Sequence, residues 1–180
     1  IESVRILISL LVQKGIKEVV LSPGSRNAPL LVSVAREKRL KHHVIVDERS
    51  AAFFALGIAQ QTGQTVVLIC TSGTALLNYS PAVAEAYYQG IPLLVISADR
   101  PTEWIDQDDS QTIRQQGALC YFVKKSFQLP TAITCPEDRW YTNRLVNEAI
   151  NLSQLGRKGP VHVNIPLREP LYGFQHETIT

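Results

Sequence analysis

The sequence predicts an α/β domain of the doubly wound class, with a parallel sheet of about six strands and helices on both faces. Three observations lead there. Short runs rich in Val, Ile and Leu recur along the chain, they alternate with segments whose apolar residues fall at helical spacing, and clusters of Gly, Pro, Ser and Asp punctuate the boundaries. Strands apolar at nearly every position are buried on both faces, the condition of a parallel sheet between two helical layers.

Each element has its own signal. Val4, Leu7, Ile8, Leu11 and Val12 form one apolar stripe, and Gly15 stands where the helix carrying it would stop. EVVLS (18–22) reads as the first strand. A helix over 27–39, a strand HVIVD (43–47), a helix over 49–60, a strand TVVLIC (65–70), a helix over 75–88 and a strand LLVISA (93–98) follow. A shorter strand is expected near 121–127. Pro136 suits the first turn of a helix running over 137–155, and VHVNI (161–165) supplies the sixth strand. Residues 1–166 thus read as one domain, and 167–180 as a linker leading out of it. No internal repeat or low-complexity tract interrupts the pattern.

Composition narrows the function. A chain of 180 residues with 45% hydrophobic and 19% charged residues can bury a core of its own. The formal net charge of +2 leaves no basic surplus, which argues against nucleic acid as a partner and for a small molecule. Cys70, Cys120 and Cys135 are odd in number and lack metal-ligand spacing, as expected of thiols in a reducing, cytoplasmic setting. The first residues carry no signal-peptide pattern, and the apolar runs are far short of the roughly 18 residues that cross a bilayer, so no membrane partner is expected.

In doubly wound sheets, ligands bind outside the carboxyl ends of the strands. After the first strand, Gly24 permits a tight turn, and Ser25 and Arg26 lead into a helix whose free amides could meet an anion; turn chemistry alone, which calls for Pro, Gly, Ser and Asn, favours a plain turn and N-cap with a solvated arginine. After HVIV come Asp47 and Glu48, placed for catalysis or simply for the helix dipole. Thr71, Ser72 and Gly73 make a small-residue turn without the lysine of a P-loop; a flat heterocycle could lie on it, or it is only a tight turn. Arg100 stands after the fourth strand, able to grip a carboxylate in a fork or to pair with a neighbouring acid such as Asp99. The polar stretch beyond it offers Gln111, Arg114 and Gln115. His42, His43 and His162 read as structural, and neither a metal cluster nor a hydrolase's nucleophile elbow is found.

Taken together and in order, LSPGSRNAPL, VDERSAAFFALGIA, TSGTALLNYSPAVAEA, ADRP, SQTIRQQG and GPVHVNIPLREPL resemble the N-terminal, pyrimidine-binding (PYR) domain of the 2-succinyl-5-enolpyruvyl-6-hydroxy-3-cyclohexene-1-carboxylate synthase (MenD) family, thiamine-diphosphate enzymes of menaquinone synthesis. The likeness spans essentially the whole chain. It implies that Glu48 hydrogen-bonds N1′ of the cofactor's aminopyrimidine and that Thr71, Ser72 and Gly73 line the pyrimidine edge. It also implies that Ser25, Arg26 and Arg100 contact the anionic substrates and that Gln111 bonds the reacting intermediate. The reaction so implied decarboxylates 2-oxoglutarate and adds the succinyl-semialdehyde carbanion to isochorismate. Family members hold the diphosphate and Mg2+ through a Gly-Asp-Gly motif in another domain and form each site between subunits of a dimer or tetramer. This sequence has no Gly-Asp pair, so the resemblance implies a fragment that is inactive alone. Two rivals stay open: the PYR domain or subunit of another thiamine-diphosphate 2-oxo acid enzyme, and a non-catalytic binding module.

Overall fold

Described over residues 1–171 in a computed structural model, the chain alternates helix and strand: α1 (Glu2–Gln13), β1 (Glu18–Leu21), α2 (Ala28–Arg36), β2 (Lys41–Val44), α3 (Glu48–Thr62), β3 (Val66–Cys70), α4 (Ala75–Asn78), α5 (Ser80–Gln89), β4 (Leu93–Asp99), β5 (Ser126–Gln128), α6 (Pro136–Gln154) and β6 (Val161–Pro166). All six strands are parallel, in the order β2-β1-β3-β4-β6-β5. This is the doubly wound architecture that the apolar strands and intervening helices predict. The chain leaves β1 outward to β2 and returns past it to β3, so the winding reverses between β1 and β3. At such a switch point the turns diverge and leave a crevice at the carboxyl ends.

The sheet separates two cores because alternate side chains of a strand point to opposite faces. Val19, Leu21, Val67, Ile69, Leu94 and Ile96 join the layer under α1, α2 and α6, while Val20, Leu68 and Val95 join the layer under α3 and α5. The second layer lies close because α3 buries Ala51, Ala52, Ala55 and Ala59, and α5 buries Ala82 and Ala86. Small side chains let these helices approach the strands.

Three elements differ from the pattern read in sequence. β2 lies two residues earlier than HVIVD, and its residues are mostly exposed: it is the outer edge strand, and Ile45 N–H makes its last bond to Leu21 O at 3.0 Å, where β1 ends. The helix over 75–88 is broken at Tyr79, because Pro81 has no N–H to donate and its ring crowds the preceding turn. The strand near 121–127 is instead a 3-10 turn, Cys120–Phe122, followed by a three-residue strand. The described part of the segment read as a linker lies against the domain, with Leu167 and Leu171 in the core. Residues 172–180 of that segment lie outside the described residues. Among the described residues no helix is long and apolar enough to cross a membrane.

The β4–β6 contact carries a buried polar ladder. His162 is wholly buried between Ser97 Oγ (2.8 Å from Nε2) and Ser126 Oγ (2.9 Å from Nδ1), and Asn164 accepts from Ser97 Oγ at 2.7 Å. Burial pushes the His162 imidazole down to about 4 from its usual 6.5. A base with a depressed folded-state pKa takes up its proton more readily in the unfolded chain. Stability is therefore expected to fall as pH drops through 6.5 and to level off below about 4, by about 3 kcal/mol in total. Chemical unfolding followed from pH 7 to 4, with His162→Gln losing this one-proton slope, measures it.

Candidate functional site

The turn after β1 is braced from inside. Asn27, fully buried, accepts from Gly24 N–H at 2.9 Å and donates to Ser22 O at 2.8 Å, which fixes Gly24, Ser25 and Arg26 at the carboxyl end of the sheet. The turn meets the one after β3: a methyl group on Gly24 would lie 2.5 Å from Thr71 Cβ. Thr71 is buried, and its hydroxyl has no hydrogen-bond partner within the described protein. The two turns are therefore in direct contact at the switch point, with the Thr71 hydroxyl enclosed between them. A buried polar atom of this kind calls for a partner.

The structure separates the two carboxylates that open α3. Asp47 is the N-cap, its side chain accepting from Ser50 N–H at 2.7 Å, and this bond holds its carboxyl below the usual range. Glu48 is thereby free of capping. Its side chain is half-buried, and it lies near enough to the end of β3 for its charge to act on Cys70 and Tyr79. Burial is the main cause pushing that thiol and that phenol up, and the Glu48 charge adds to it. The buried Tyr79 hydroxyl lies within hydrogen-bond distance of Ser22 Oγ and Ile69 O, at 3.0 and 2.9 Å.

Arg100 gathers the other predicted residues. Its Nη1 donates to Ser72 Oγ at 2.6 Å and to Gln111 O at 3.2 Å, its Nε is bonded to Asp109, and Gln111 Nε2 returns to Ser72 O at 3.2 Å. Gly73 adopts φ +82°, and a Cβ there would stand 2.8 Å from Gln111 O, so the turn after β3 and the loop after β4 are in backbone contact only because position 73 is glycine. Asp99, buried behind Arg100, accepts from Arg100 N–H and from Asn164 Nδ2 at 2.8 and 2.7 Å. Burial raises its carboxyl despite those bonds and the nearby Arg100 and Arg26 charges.

Arg26, whose side chain is 11% exposed, is held by Leu167 O at 3.1 Å and Glu169 at 3.2 Å. With Arg100, Trp104, Asp109, Arg168 and Glu169 it lines a cleft of about 420 Å³. Ser25 is exposed on the same turn.

Two candidates from the polar loop do not join the site. Gln115 is buried: it accepts from Gly73 N–H at 2.7 Å and donates to Ala98 O and Asn164 Oδ1, so it clamps the turn after β3 and has nothing left for a ligand. Arg114 points outward, 81% exposed and paired with Asp106. Conversely, Asp109, Trp104, Arg168 and Glu169 reach the cleft without having been singled out by the sequence. Only the family-like string GPVHVNIPLREPL carried a hint of the last pair. Among the described residues no group of three or more His, Cys, Asp or Glu side chains is placed to hold a metal ion.

A doubly wound parallel sheet with an arginine-lined cleft at the carboxyl ends of its strands, a half-buried carboxylate opening α3 and an unpartnered hydroxyl at the end of β3 is the arrangement of a ligand-binding α/β domain. Residues 2–119 match the family described as thiamine pyrophosphate enzyme, N-terminal TPP binding domain, and the chain belongs to that family. It is 55% identical over 172 residues, 96% of its length, to the 2-succinyl-5-enolpyruvyl-6-hydroxy-3-cyclohexene-1-carboxylate synthase of Porphyromonas gingivalis. It is 57% identical over 163 residues, 91% of its length, to the synthase of the same name from Cytophaga hutchinsonii, and 53% identical over 173 residues, 96% of its length, to that of Bacteroides thetaiotaomicron. The chain spans 30%, 29% and 31%, respectively, of the length of these relatives.

Proposed function

We propose that this chain is the pyrimidine-binding domain of a thiamine-diphosphate synthase that decarboxylates 2-oxoglutarate and joins the resulting four-carbon unit to isochorismate. The observation that carries the reading is Glu48: it is a half-buried carboxylate at the start of α3, released from capping by Asp47 and close enough to the end of β3 for its charge to act on Cys70. The residues present fit the cofactor's pyrimidine. Thr71 carries a buried hydroxyl without a partner at the end of β3, the glycines at 24 and 73 let the turns after β1 and β3 and the loop after β4 close on one another there, and Glu48 offers a carboxylate able to share a proton with a ring nitrogen. When bound, the cofactor supplies the electron sink for cleaving and forming bonds to the carbonyl carbon.

The chain's own residues then have distinct tasks. Glu48 holds the proton at the ring nitrogen. Arg100 and Arg26 bind substrate carboxylates at the cleft, where their partial burial strengthens a charge-assisted bond. Ser25 and Gln111 add hydrogen bonds at its rim. The diphosphate and Mg2+ are assigned to a separate domain, since this sequence contains no Gly-Asp pair. Val46, Phe53 and Phe54 are 76%, 44% and 44% exposed around the start of α3. Apolar side chains in such a group favour coverage by another domain or subunit, which supports a homo-oligomer with the site at its interface.

The test is a reconstitution. The parent enzyme containing this chain should transfer a succinyl unit from 2-oxoglutarate to isochorismate, detected as the adduct by mass spectrometry. Release of succinic semialdehyde without adduct would move the assignment to a 2-oxo acid decarboxylase. In the same assay Arg100→Gln is expected to raise KM for 2-oxoglutarate by about 10- to 100-fold, the loss of a charge-assisted contact of about 1.5–3 kcal/mol.

A further inference from the structure

Three cations converge on the cleft beyond β1 and β4, and each holds a carboxylate of this same chain: Arg26 with Glu169, Arg100 with Asp109, Arg168 with Glu103. The cations of the first two pairs lie at the floor, each 11% exposed, whereas their acids are at the rim, Asp109 35% and Glu169 72% exposed. Arg100 does not depend on Asp109 to keep its place. Its Nη1 is fixed by Ser72 Oγ and Gln111 O, and Asp109 takes only Nε. The Nε edge of a guanidinium is one on which a carboxylate docks in a fork, so Asp109 sits where a ligand's carboxylate would bind. Arg26 is likewise anchored by Leu167 O and presents its other nitrogen to Glu169.

The backbone around Asp109 is in an uncommon conformation. Asp106, Asp108 and Gln111 have φ of 63°, 57° and 54°, a left-handed conformation that Asp tolerates without preferring. The segment is held at Gln111 by Ser72 O and Arg100 Nη1 and at Asp106 by Arg114, and between these points Asp109 is bonded to Arg100 Nε. A cleft of about 420 Å³ with Trp104 on its wall is the size of a small-molecule site, and two paired arginines suit a ligand bearing two carboxylates.

Resting on the reading of this cleft as the carboxylate-binding part of the site, we infer that Asp109 is an internal competitor: it occupies the Arg100 guanidinium edge that a dicarboxylate ligand takes, and must be displaced for that ligand to bind. Asp109 therefore lowers ligand affinity instead of supporting it, and Glu169 acts in the same sense on Arg26. A residue that merely shaped the loop would have the opposite sign, since its loss would weaken binding.

The experiment uses the parent enzyme with glutarate, a plain five-carbon dicarboxylate, as a competitive inhibitor against 2-oxoglutarate. Asp109→Asn is expected to lower Ki for glutarate by about three- to tenfold, the scale of one partly exposed ion pair. Asp109→Ala, which cannot re-form any bond to Arg100, should shift it in the same direction. A Ki unchanged, raised or unmeasurable in both variants overturns the inference. Arg100→Gln separates it from the reading beneath: if Arg100→Gln abolishes inhibition while both Asp109 variants leave Ki unchanged, the competition is wrong and the anion site stands. If Arg100→Gln inhibits like wild type, the anion site itself is wrong, and the inference falls with it.

Discussion

Glu48→Gln in the parent enzyme is expected to lower kcat by at least about 100-fold while leaving the fold intact. Glutamine keeps the size and one hydrogen-bonding oxygen of the side chain but cannot carry the shared proton, and Asp47 still caps α3 through Ser50. Because Glu48 is only half-buried and contributes no apolar packing to the cores, unfolding midpoints should stay within about 2 °C. The check is steady-state turnover beside thermal unfolding of the same preparation. Turnover within a few-fold of wild type would leave this domain a binding module with no proton to move.

Gly24→Ala is expected to injure fold and site together. The new methyl would meet Thr71 Cβ at 2.5 Å, Cγ2 at 2.6 Å and Oγ1 at 2.7 Å. Threonine is branched at Cβ and stiff, so no rotamer relieves the contact, and one of the two backbones must move. Overpacking of this kind costs about 1–3 kcal/mol, or a fall in Tm of about 2–12 °C for a domain of this size. The same movement displaces Ser25 and Arg26, so KM for the anionic substrates should rise in parallel. Gly57→Ala is the control: it lies in α3 with nothing within 4 Å of the added methyl, and it should stabilise by about 0.5–1 kcal/mol. Equal Tm values for the two variants would show that the β1 and β3 turns do not touch as described.

Most of the fold was legible because its signals are local. Val66–Cys70 and Leu93–Asp99 are apolar at nearly every position, and both prove to be central strands buried along their length. The misplacement of β2 has a local cause too. As an edge strand it needs little apolar character, so Lys41 and His42 belong to it, while the more apolar Ile45 and Val46 lie beyond its end. Pro81 was visible, and its power to split the helix over 75–88 follows from its missing N–H alone. The site was legible as a set of strand ends, but the roles of its polar residues were not. Gln111 and Gln115 are the same residue type four positions apart, yet one is exposed beside Arg100 and the other is a buried clamp on Gly73.

What the sequence determined alone is the alternation of elements and the chemistry placed after each strand, since periodicity and turn residues act between near neighbours in the chain. What only the tertiary structure decided is which ends meet: Gly24 against Thr71, Arg100 against Ser72 and Asp109, Arg26 against Glu169. Those meetings depend on the strand order β2-β1-β3-β4-β6-β5, which is set by how the two cores pack and leaves no mark at any single position.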